Sequence, residues 1–135
     1  MFIICILIIT PENYYTLKPL LELYVNTENK NADKTAAIFF NLAPTNPTIY
    51  NDLEDIYYNK EKKLIDFYKS QFSMFKNNEK VQGNLNFYIG RIYIDTDKKM
   101  AKKYFLKSKE IFGKIFDKNH QVFNAIEEGL KQCEN

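Results

Sequence analysis

One spacing recurs three times in this chain, and it limits the folds available more than any other feature. Leu20, Tyr24, Ala32, Ala36, Phe39 and Leu42 form the first series. Leu53, Tyr57, Ile65, Lys69, Phe72 and Phe75 repeat its intervals, and so do Ile89, Tyr93, Ala101, Phe105, Ser108 and Ile111. Steps of three and four residues lie on one face of an α-helix. Each series breaks once, after its tyrosine, across a polar connector: 27–33, 59–62 and 95–97. The pattern in each copy is therefore helix, turn, helix. A fixed offset met three times is hard to obtain from unrelated helices, so the copies are read as internal repeats.

The composition agrees with an all-α chain. At 45% hydrophobic and 16% aromatic, the 135 residues have enough apolar surface to offset chain entropy. Gly 4 and Pro 4 are too few for the turns of an all-β fold. Taken in order, Leu17, Leu20, Leu21 and Tyr24 mark a first helical face, and Ala32, Ala36, Phe39 and Leu42 a second, stopped by Pro44. Asn46, Pro47 and Thr48 restart the chain into a helix bearing Tyr50, Leu53, Ile56 and Tyr57. Leu64, Ile65, Tyr68, Phe72 and Phe75 line the next helix, up to Asn77 and Asn78. A third pair carries Leu85, Ile89, Ile92 and Tyr93, then Met100, Ala101, Phe105, Ser108 and Ile111, with Asp97 as N-cap. Val122, Phe123, Ile126 and Leu130 form the stripe of a closing helix over an exposed hydrophobic end.

These boundaries define an apolar segment, 1–11, and a single helical-repeat domain, 12–135, with units at about 14–45, 46–78 and 79–116 and a capping helix at about 119–133. Residues 1–9 (MFIICILII) are too short for a spanning helix, which needs about 20 apolar residues. Three readings stay open: a truncated export signal, a buried packing element, or an anchor. The first implies an exported protein and the second a cytoplasmic one. Cys5 and Cys133 lack metal-like spacing and could pair only if the termini meet.

The spacing resembles the tetratricopeptide repeat, whose units of about 34 residues are helix pairs with a Leu-Gly-x-x-Tyr core and an Ala, Phe and Ala core. Ile89, Gly90, Tyr93, Ala101, Phe105 and Ser108 match best, Pro44 falls at a unit's close, and the likeness covers 17–130. Each turn is one residue shorter than the family's norm, and Lys69 interrupts the apolar series. The stretch from Gly90 through Asp117, Asn119 and His120 is also similar to the C-terminal repeats of SET and MYND domain methyltransferases and kinesin light chains. No enzymatic role follows, since methyltransferase chemistry lies in domains this chain lacks.

The resemblance implies a right-handed α-solenoid whose first helices line a concave groove for an extended or helical peptide. In that register the groove residues are Lys18, Glu22 and Val25, then Asn51, Asp55 and Tyr58, then Asn84, Phe87, Arg91 and Ile94. A carboxylate clamp of the chaperone-binding kind is not expected, because Glu22, Asp52 and Tyr88 stand where lysine or asparagine is needed.

Other chemistry has little support. His120, the only histidine, has no paired nucleophile and reads as a packing or capping residue. Asp95 and Asp97 read as a turn with an N-cap, and Gly83 and Gly90 build no phosphate cradle; Gly90 reads as a point of close helix packing. Lys98, Lys99, Lys102, Lys103, Lys107, Lys109, Lys114 and Lys118 read first as a solvated helix face. A net charge of +2 does not call for nucleic acid, and a membrane is a candidate only through residues 1–9. The expectation is a non-enzymatic protein-interaction module with no cofactor, no metal and no catalytic residue. The alternative is an assembly subunit, or a piece of a larger protein, docked through its apolar N-terminus.

Overall fold

A computed structural model describes residues 11–134, and the readings of residues 1–10, including Cys5, lie outside the described residues. Among the described residues the chain is all-helical, with no strand. The helices are α1 Pro11–Asn26, α2 Ala32–Phe40, α3 Pro47–Ile56, α4 Glu61–Met74, α5 Glu79–Tyr93, α6 Lys98–Phe112 and α7 Val122–Gln132. Each series falls on a pair of these helices, except that Leu42 of the first and Tyr57 and Phe75 of the second lie just past the ends of α2, α3 and α4. Among the described residues two compact units are built from the helices, 11–67 and 68–134, so the division passes through α4.

In the first unit, local chemistry sets the helix ends. Thr27 donates its hydroxyl to the Leu23 carbonyl at 2.8 Å, and Glu28 takes a left-handed conformation (φ 53°) to reverse the chain before α2. Asn46 accepts from the Thr48 backbone N–H at 2.9 Å with Pro47 in the first turn, which starts α3. Asn59, at φ 63°, makes the turn into α4, and such a conformation costs asparagine less than most residues. The core is aromatic. Phe40 meets Tyr50 and Phe67 edge to face at 5.3 and 5.9 Å, and the Tyr50 hydroxyl donates to the Pro44 carbonyl at 2.6 Å.

A polar network joins α1 to α3. Asp52 is buried, and its carboxylate accepts from the Tyr14 hydroxyl at 2.5 Å and the Lys18 ammonium at 3.3 Å. The hydrogen bond to Asp52, then burial, raise the Tyr14 pKa. Burial works to lower that of Lys18, but the hydrogen bond and charge of Asp52 outweigh it, so it too is raised.

The second unit packs helices through glycine. A Cβ on Gly90 would lie 3.0 Å from the Phe105 ring, and one on Gly129 would lie 2.6 Å from the same ring. Phe105 is thus set against α5 on one side and α7 on the other, at approaches that a side chain would not tolerate. Gly83 does the same for Phe112, where a Cβ would stand 2.5 Å from the ring. Beside it the buried Ser108 hydroxyl donates to the Gly83 carbonyl at 2.9 Å. Asn78 and Asp97 cap α5 and α6 by accepting from Val81 and Met100 backbone N–H groups, each at 3.1 Å.

Of all the positions aligned by the repeat, only Lys69 is exposed. Its Nζ lies 5.9 Å from the ring centroids of both Tyr93 and Tyr104, which stack on each other at 5.8 Å. Burial works to lower its pKa, but the interactions with Tyr104 and Tyr93 outweigh it and leave it raised. Its ammonium donates to the Tyr93 hydroxyl at 3.5 Å, so a lysine stands in for an aliphatic residue here because its partners are the hydroxyl-bearing ends of two tyrosines. The three repeat tyrosines also differ: Tyr57 is buried, whereas Tyr24 and Tyr93 are half-buried.

Candidate functional site

The register of α5 is fixed by its buried side, which carries Val81, Leu85, Tyr88 and Ile89. Phe87, Arg91 and Ile94 are thereby turned to a different side, where α7 comes alongside because Gly129 lets it approach Phe105. Between α5 and α7 lies an open cleft of about 390 Å³. Phe87, Arg91 and Ile94 line one wall, Ala125, Glu128 and Gln132 the other, and Phe105 reaches its floor. Phe87 is held by Phe105 at 5.6 Å and by Tyr88 at 5.0 Å. The Arg91 guanidinium stands 5.5 Å from the Tyr88 ring centroid. The result is a trough of mixed polarity, with Phe87 and Ile94 beside Arg91 and the carboxylates of Asp95 and Glu128. Such a trough suits a side chain or a short run of chain with one apolar anchor.

Three of the four groove residues expected on the third hairpin therefore meet in one cleft. The fourth, Asn84, is half-buried and lies outside its lining. Those expected in the first unit have varied positions. Val25 is buried at 4% exposure, within the core, and Lys18 is paired with Asp52. Glu22, Asn51, Asp55 and Tyr58 are exposed, Tyr58 at 74%. Sequence reasoning missed the α7 wall. The signal was Gly129, a glycine inside an otherwise apolar-striped helix, which marks a close helix approach.

Several singled-out residues have structural work. His120 Nδ1 accepts from the Val122 backbone N–H at 3.0 Å, and its ring stacks on Phe116 at 4.1 Å, so it starts α7 and packs. Asp97 caps α6. Cys133 is a half-buried thiol beside the apolar cluster; burial pushes its pKa up, against the pull of Lys98 and Lys102. Among the described residues, no group of three His, Cys, Asp or Glu side chains is placed to hold a metal ion. No described helix is long and apolar enough to cross a membrane. Comparison with protein-family models, curated proteins and solved structures finds no match to this chain.

Proposed function

We propose that this protein is a non-enzymatic interaction module, built from three tetratricopeptide-like hairpins closed by α7, that binds a peptide or partner domain in a concave groove. The recurring spacing supports stacking of the hairpins as a right-handed solenoid. The observation that carries the binding role is the cleft between α5 and α7. It is walled by Phe87, Arg91 and Ile94, which the repeat register assigns to the groove. A trough that sets Phe87 and Ile94 among both charge signs suits a peptide that anchors one apolar side chain and orients itself by polar contacts.

Affinity capture from cell extract with the full chain, read by mass spectrometry, supplies the partner. Ala125→Arg would fill the trough and Glu128→Lys would invert one rim. Both positions are exposed, so circular dichroism should stay unchanged while partner recovery falls at least about tenfold. Undiminished recovery with both variants would overturn the assignment of the cleft.

A further inference from the structure

The helix that supplies Phe105 to the core carries a second, separate surface. α6 reads KKMAKKYFLKSKEIF, six lysines against a single acid. Ala101, Phe105, Ser108, Ile111 and Phe112 face inward, so the lysines are displaced to the other side. Two of them have acidic partners: Lys107 lies 3.4 Å from Glu110 and Lys109 2.6 Å from Glu127. Among the described residues, Lys98, Lys99, Lys102 and Lys103 make no ion pair.

A uniformly solvated lysine face would be convex and featureless. This one borders an open hollow of about 650 Å³, rimmed by Lys99, Lys102, Lys103 and Lys107, walled by Tyr104 and Leu106, and carrying one carboxylate, Glu110, which is the partner of Lys107. Leu106 is 45% exposed, although it stands in mid-helix among charged neighbours. Tyr104 is held in place by its stacking on Tyr93 and by Lys69. The hollow thus joins a fixed apolar wall to a rim of positive charge without acidic partners in three of its four lysines. A ligand that fits must offer both apolar surface and negative charge.

We propose that this hollow on α6 docks an acidic segment of a partner protein, with an aliphatic or aromatic side chain against Tyr104 and Leu106 and carboxylates against Lys99, Lys102 and Lys103. Nucleic acid suits it less well. Its cations are lysines alone, the sequence holds a single arginine (Arg91), and net charge is only +2. Tyr104 already spends one ring face on Tyr93 and offers less to a stacked base.

The test is fluorescence anisotropy of the full chain with a labelled peptide alternating leucine with pairs of glutamate. Saturable binding that weakens as salt rises is expected. The same peptide with glutamine for glutamate, and a single-stranded oligodeoxynucleotide of equal length, should bind at least about tenfold more weakly. Lys102→Glu with Lys103→Glu should weaken the acidic peptide at least about tenfold, and Leu106→Ser roughly fivefold. Lys30→Glu with Lys34→Glu makes the same change in net charge on exposed residues elsewhere, and should leave binding within about twofold. The proposal is overturned by absent binding, by equal binding of the glutamine peptide or the oligonucleotide, or by equal effects of the two lysine pairs. All of these changes fall on exposed side chains, and matched circular dichroism spectra will show that the fold is kept.

Discussion

In the first unit α1 meets α3 through a buried carboxylate, whereas in the second α5, α6 and α7 meet through glycines set against phenylalanine rings. All four glycines of the sequence lie in the second unit. The first has none, and aromatic edges and the Asp52 network bring its helices together. The difference bears on where a ligand can sit. In the first unit Lys18, a residue the repeat assigns to a groove, is committed to Asp52, and Val25 to the core. In the second, close glycine packing holds the scaffold, and Phe87, Arg91 and Ile94 line an open cleft.

The contrast is broken most sharply at Phe105. Truncation to alanine removes a fully buried ring held between two helices and leaves a cavity, so stability should fall by about 3 to 5 kcal/mol in urea denaturation. A loss below about 1 kcal/mol would mean that the glycine contacts do not organise this unit. Gly129→Val should cost less, about 1 to 3 kcal/mol, through overpacking against the same ring. In the first unit the matching test is Asp52→Ala, which strands the Tyr14 hydroxyl and the Lys18 ammonium. A loss of about 1 to 2 kcal/mol is expected, since the site is partly open to water. A double-mutant cycle with Tyr14→Phe should show coupling between the two; additive losses would mean that the network contributes nothing jointly.

Helix placement was legible from the sequence because it depends on local rules: three- and four-residue spacing, Pro44 and Pro47, and the cap at Asp97, while the structure adds caps at Asn46 and Asn78. The choice of Gly90 as a packing residue followed from the same repeat, and so did Phe87, Arg91 and Ile94 as neighbours on one side of α5. What could not be read was pairwise. Nothing local to Lys18 announces Asp52, thirty-four positions away, and nothing local to Lys69 announces Tyr93 and Tyr104. Val25 stands four residues after Leu21 on the buried side of α1, so its burial follows helical spacing, and it was the groove register that turned it outward. The cleft needed two helices, and only one of them was visible from the repeat.

The smallest effect is expected at Tyr57, the buried tyrosine of the second series. Its ring is 3% exposed, and its hydroxyl has no hydrogen-bond partner among the described residues. Burial, then the charge of Asp33, push its pKa up to about 12 from 10.0. A raised pKa on an acid that is neutral when protonated means that the folded state favours the protonated form. Its contribution to stability is complete below pH 10, the unfolded value, and is lost as pH rises through about 12. Tyr57→Phe deletes both the unpaired hydroxyl and this ionisation while keeping the ring. At neutral pH the variant should be as stable as the parent, or more stable by up to about 1 kcal/mol, because no hydrogen bond is lost. Above pH 10 thermal melting should favour the variant by a growing margin, since Tyr14 titrates alike in both proteins and cancels. A variant less stable at neutral pH would show that the hydroxyl is bonded. Parallel melting curves up to pH 12 would show that the tyrosine gains no protection from burial, and would remove the contrast between Tyr57 and its half-buried counterparts, Tyr24 and Tyr93.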